Sequence, residues 1–130
     1  VMGTFKKKTG LIDAAIGRHR VHRQKMAVMP ARGRPAKTSY REIHSGGGKS
    51  VVECALHSGR THQIRVHLHH IGHPVLGDKI YAPKLANEFA RQMLHAWKLG
   101  FRHPRTSEFQ KFEAPLPDDF KAAMSAVKNS

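Results

Sequence analysis

Arg60, His62, Gln63 and Arg65 fall within six consecutive positions, directly after Ser58-Gly59. Guanidinium, imidazole and amide groups at that density suit an anionic partner that also accepts hydrogen bonds, because the arginine fork matches phosphate and carboxylate geometry. The wider run His57–Tyr81 holds two arginines and six histidines, while its apolar residues keep helical spacing. Nucleic acid is the partner this chemistry fits. Ser58-Gly59-Arg60-Thr61 opens the expected helix, where N–H groups and the helix dipole favour a phosphate; the alternative is a capped turn with Arg60 in water. Arg65 reads equally as a helix-edge surface cation or as a site residue.

Two other chemistries find less support. His69, His70 and His73, or His62 and His67, have metal-ligand side chains, but there is no HExxH, no cysteine pair and no carboxylate between His57 and Asp78. A zinc set is therefore incomplete and no metal is expected. A paired-carboxylate mechanism would rest on Glu53 and Asp78, the acids nearest the motif. Asp78 follows a glycine in a turn-like stretch, where an aspartate more often closes an Asx bond than performs chemistry; Asp13 reads the same way.

Charge points the same way as the motif. The chain of 130 residues carries 23 Lys+Arg against 9 Asp+Glu, a formal +14, and its pI is about 10.7. Such an excess opposes compaction, and polyanion binding gives it a use through counterion release. The length fits one domain with one core. One cysteine, Cys54, excludes an internal disulfide and fits a reducing compartment. With no apolar run of membrane-spanning length and no signal-peptide core, a cytoplasmic protein is expected.

The elements that must position these residues follow from periodicity. Thr38–His44 and Ser50–His57 read as strands around Gly46-Gly47-Gly48, a β-hairpin. Thr61 is the expected N-cap of a helix whose Ile64, Leu68 and Ile71 form one apolar stripe, with Gly72 placed to end it. Leu85, Phe89, Met93 and Trp97 predict a second helix over Lys84–Leu99, and Phe101–Phe112 reads as mixed loop and strand. A final amphipathic helix is predicted over Asp118–Lys128, with Asp118 and Asp119 at its N-terminal dipole end. Arg18–Lys25 and Met26–Lys37 are basic, and Pro30, Gly33 and Pro35 make the latter a loop. The expected fold is α+β, a mainly antiparallel mixed sheet with flanking helices.

GRTHQIRVHL followed by IGHPVLGDKIY strongly resembles the RluA-type RNA pseudouridine synthases. Gly10-Leu11-Ile12-Asp13 with Ile16-Gly17-Arg18-His19, Ala36-Lys37-Thr38, Arg91–Ala96, Leu99–Pro104 and Phe112–Pro117 extend the likeness over nearly the whole chain. Ser58 stands where threonine is common. The resemblance implies isomerisation of uridine to pseudouridine in ribosomal or transfer RNA without a cofactor: the N1–C1′ bond breaks and the base rejoins through C5. It implies that residues 1–130 are the C-terminal portion of a single pseudouridine synthase catalytic domain. The family's nucleophilic aspartate lies in an HRLD-type motif, and none of Asp13, Asp78, Asp118 and Asp119 follows His-Arg-Leu. By motif, Arg65 matches the arginine that pairs with that aspartate, so this chain alone is expected to be inactive. The resemblance implies that Arg60, Thr61, His62 and Gln63 shape the pocket floor or contact RNA, and RNA contacts are expected from Arg32, Arg34 and Lys37 as well. The alternative is a non-catalytic RNA-binding protein on a degenerate synthase scaffold. A cut sheet would leave an exposed strand edge prone to self-association.

Overall fold

Glycine geometry closes the central hairpin. Gly47 and Gly48 have φ of 59° and 74°, the paired positive values of a two-residue hairpin turn that keeps the strands' right-handed twist. They join β4 (Lys37–Gly46) to β5 (Lys49–Leu56) in antiparallel register from Thr38↔Leu56 to Gly46↔Lys49, with a bulge at Ile43. This computed structural model describes residues 1–130, the side chain of Phe101 excepted. β1 (Thr9–Asp13) pairs with the other edge of β4, giving the order β1-β4-β5. A small hairpin, β2 (Ile16–Arg18) with β3 (Met26–Val28), stands beside it. β6 (Lys98–Arg102) and β7 (Phe109–Glu113) form a third antiparallel unit. The α+β, antiparallel expectation is correct.

Helix α1 (Gln63–His70) lies across these sheets and divides the core in two. Leu68, with Ile64 and Ile71 packed beside it, meets Ile12, Val75, Tyr40 and Cys54 on one side. Val66 meets Ile16 and Ala36 on the other, with Met26, Val28 and Tyr81 around them. Burial pushes the Cys54 thiol up to about 11, which makes it an inert packing group. The helix ends as its sequence directs. Gly72 has φ of 86°, its N–H donates to His69 O and that of His73 to Leu68 O, the two bonds of a Schellman cap.

Three local expectations need correction, the first being the loop expected over Met26–Lys37, whose opening residues form β3. The N-cap is His62, not Thr61, and it sits in the left-handed region without a side-chain cap bond. The Gln63 amide replaces a cap by closing the preceding turn, its Oε1 accepting from Arg60 N–H and Ser58 Oγ. The helix expected over Lys84–Leu99 is absent: Pro83–Leu85 makes one 3₁₀ turn, and β6 begins at Lys98. Tertiary contacts override propensity here. Ala86 is buried while Leu85 is exposed, Met93 N–H donates to Leu76 O, and Leu94 packs on the first core. The segment is a strap over Val75–Asp78. Helix α2 (Asp118–Lys128) has its expected bounds and buries Val127.

Candidate active site

α1 presents Arg65 toward the loop that follows it. Gly77 turns that loop with φ of 76°, and any side chain there would collide with the Arg91 carbonyl. The next residue, Asp78, is turned inward and only 1% exposed. Its Oδ1 accepts from the backbone N–H groups of Ile80 and Tyr81, both at 3.0 Å; this is the Asx-type turn expected from sequence. The carboxylate does more than that. Arg65 Nε donates to Oδ2 and Arg65 Nη2 to Oδ1, each at 2.8 Å, a bidentate fork. Burial pushes the Asp78 carboxyl up, but the Arg65 bonds, the Tyr81 and Ile80 N–H groups and the Arg65 charge outweigh it and hold it below the usual range. The bonds to Asp78 outweigh burial at Arg65 and push its pKa up.

Among the described residues Arg65 Nη1 meets no protein acceptor, and the Arg65 side chain keeps 11% exposure. Its guanidinium carbon lies 5.2 Å from the centre of the Tyr81 ring. A cation fixed on one edge and open on the other can receive a second anion at its outer edge. Asp78 is not a nucleophile in this arrangement. Both oxygens are engaged, and the side chain is sealed from solvent.

The expected RNA-contacting residues separate into two groups. Arg32, Arg34, Lys37 and Thr61 are exposed. Arg60 Nε donates to Pro35 O, which brings the turn before α1 against the loop carrying Arg32 and Arg34 and against Lys37 at the start of β4. His62 is half-buried, its Nδ1 2.8 Å from the Tyr81 hydroxyl; burial first, then the Arg65 charge, lowers its pKa. Gln63 corrects the expectation of an RNA contact. It is 3% exposed, and its amide is saturated: Oε1 accepts from Ser58 and Arg60, and Nε2 donates to Lys37 O and Thr38 Oγ1. The phosphate cradle expected at Ser58–Thr61 is correspondingly reduced, because the Arg60 N–H is already bonded.

His67 is a further internal residue. It is fully buried, with Nε2 donating to Ala14 O and Nδ1 2.8 Å from Thr38 Oγ1. Gln63, Thr38, His67 and Ala14 thus form one chain of bonds tying α1 to β4 and to the residue that follows β1. Sequence reasoning gave Tyr81 no role. The spacing Gly77-Asp78-Lys79-Ile80-Tyr81 was the available signal, since an Asx turn at Asp78 fixes where the third residue after it begins.

A family model described as RNA pseudouridylate synthase matches residues 2–70. The chain is 44% identical over 137 residues to ribosomal large subunit pseudouridine synthase D of Nitrosomonas europaea, covering 99% of this chain and 39% of that protein. Its Pseudomonas aeruginosa namesake is 44% identical over 132 residues, covering 92% and 41%. The solved structure of human RNA pseudouridylate synthase domain containing 1 superimposes with a TM-score of 0.75 at 30% identity, over 96% of this chain and 54% of that one. The chain spans about two fifths of the length of the curated relatives it matches. The family match runs from the first residues through β1 to the end of α1 and takes in Arg65, and on that match, which covers more than half of its residues, the chain belongs to the RNA pseudouridylate synthase family.

Proposed function

We propose that residues 1–130 are the C-terminal portion of a single pseudouridine synthase catalytic domain, and that the whole protein isomerises uridine to pseudouridine in ribosomal or transfer RNA. The observation that carries this is the Arg65 fork, held on one edge by buried Asp78 and open on the other. An aspartate nucleophile entering a partly desolvated pocket drifts toward protonation unless a cation opposes it. Arg65 supplies that cation to a carboxylate from the remainder of the protein. Asp78 keeps the guanidinium aimed before that carboxylate arrives, which limits reorganisation during the reaction. Bond cleavage at N1–C1′ and rejoining at C5 need no cofactor in this scheme. Arg32, Arg34, Lys37, Arg60 and Thr61 hold the RNA backbone, and the target base leaves its stack to reach the cleft. We place the protein in the cytoplasm, in keeping with its single free cysteine.

The whole protein, incubated with RNA from cells lacking its gene, is expected to raise the pseudouridine content measured by nuclease digestion and mass spectrometry. The 130-residue chain alone is expected to give none. RNA binding by the whole protein without any pseudouridine would instead establish the non-catalytic reading.

The isolated chain is also expected to self-associate. The first residues cover only the start of the outer edge of β5, Met2 bridging Lys49 and Val1 exchanging backbone bonds with Ser50, so Val51–Leu56 has no strand neighbour on that side among the described residues. An open edge with exposed Leu56 invites pairing with a second copy. Sedimentation velocity should show a concentration-dependent dimer or larger species; a monomer across the range would refute this.

A further inference from the structure

Tyr81 has no part in the chemistry above, yet four groups converge on it. Its backbone N–H donates to Asp78 Oδ1 at 3.0 Å, and its ring lies against the Arg65 guanidinium. Its hydroxyl accepts from the Met26 N–H at 2.9 Å and lies 2.8 Å from His62 Nδ1. The His62 ring meets the Tyr81 ring edge-on, with centroids 5.6 Å apart at 87°. With the Met26 N–H on one lone pair, the hydroxyl proton is free to point at Nδ1, the arrangement that the Nε2–H tautomer of His62 accepts. His62 makes this contact from a left-handed backbone, φ 56° and ψ 24°, a conformation that disfavours a non-glycine residue and marks functional positions.

Met26 opens β3 opposite Arg18, so the hydroxyl grips the β2–β3 hairpin at the end of its ladder next to the connecting loop. Each strand has three residues, and a two-stranded ribbon of that size is marginal in water by itself. Its tip carries exposed Arg18, Arg20 and Arg23, which repel one another. The backbone bridge between Ile16 and Arg34 and docking against α1 together steady it: Val28, Met26 and Tyr81 pack around Val66 and Ile16.

We propose that Tyr81 is a positioning residue that couples the seating of the basic β2–β3 hairpin on RNA to the aim of the Arg65 fork. Its hydroxyl acts on the hairpin and its ring on the guanidinium. The inference rests on the RNA-modifying reading of Arg65.

The test uses the whole protein, an unmodified large-subunit ribosomal RNA transcript, and four substitutions. Tyr81→Phe keeps the ring and removes both hydroxyl bonds; affinity for the transcript is expected to fall about fivefold. Arg20→Ala weakens binding in the wild-type background, and its effect should shrink by at least about half in Tyr81→Phe, a non-additivity that a general loss of stability would not produce. Tyr81→Leu also removes the ring, and its single-turnover rate at saturating RNA should fall about fivefold further. His62→Gly deletes one partner of the hydroxyl and relaxes the strained backbone, so it carries little risk of unfolding; about a twofold loss of affinity with reduced sensitivity to Arg20→Ala is expected. Wild-type affinity in Tyr81→Phe, additive losses with Arg20→Ala, or equal rates in the Phe and Leu variants overturns the proposal. Pseudouridine is scored on the wild-type protein in the same samples. Its absence rejects the RNA-modifying reading, whereas the binding cycle judges the Tyr81 tie by itself.

Discussion

Replacing Arg65 by methionine in the whole protein is expected to lower pseudouridine formation by about 10²–10³-fold, the scale of losing one preorganised electrostatic partner at a reacting centre. Protonation alone does not reach that figure. A neighbouring arginine lowers an aspartate pKa by about 1–3 units, so its loss leaves an aspartate of ordinary pKa about 4 at most about half protonated at neutral pH and removes no more than about twofold of rate. The remainder must come from the lost aim of a fixed cation at charge that changes during the reaction. The two contributions separate by pH. Removing the cation raises the pKa of the carboxylate it faces, so the acidic limb of the rate profile moves to higher pH, and the deficit narrows but persists in the alkaline range. Arg65→Lys keeps a charge opposite Asp78 but loses the two-pronged geometry seen at Nε and Nη2, and should fall between the two. Single-turnover rates at saturating RNA from pH 5 to 9 measure both effects; an Arg65→Met profile superimposable on wild type would remove Arg65 from the reaction.

The parts of this cleft that were legible in sequence are those whose partners lie nearby in the chain. Ile64, Leu68 and Ile71 announced α1 because one stripe had to face the core, and Gly72 marked its end because the Schellman turn needs a positive φ. The Asx half of Asp78 was legible for the same reason, as its acceptor bonds reach only two and three residues ahead. Its ion pair with Arg65 was not, because it depends on how the loop after Gly72 folds back along α1. His67 was ambiguous among several histidines: its partners Thr38 and Ala14 stand 29 and 53 residues away. Gln63 was misread toward RNA for a related reason, since an amide beside arginines carries no mark of being buried. The strap at 86–97 misled by its spacing. Leu85, Phe89, Met93 and Trp97 recur at helical intervals, yet their surroundings offer Leu76 O and the first core as better partners than a helix of their own.

Asp78→Ala is expected to destabilise the protein by about 3–5 kcal/mol, the usual penalty for stranding one member of a buried ion pair. The size follows from what is left behind. Arg65 would keep its charge with 11% exposure, and the Ile80 and Tyr81 N–H groups would lose their acceptor. Asp78→Asn preserves shape but turns an NH₂ group toward donors, and should lose about 2–4 kcal/mol. The double variant Asp78→Asn, Arg65→Met should be less destabilised than the sum of its single changes, because no buried charge remains unpaired. The pH dependence has a defined sign. The Asp78 pKa is held below its ordinary value, so its contribution is complete above the unfolded-state pKa of about 4 and fades as pH falls through the lower folded value. Wild type should therefore lose stability on acidification below about pH 4, and the Asn variant should lack that component. Urea unfolding at pH 7 and across the acid range measures both, with additive single changes, or equal acid sensitivity in wild type and Asp78→Asn, showing that the carboxylate does not hold Arg65 in place.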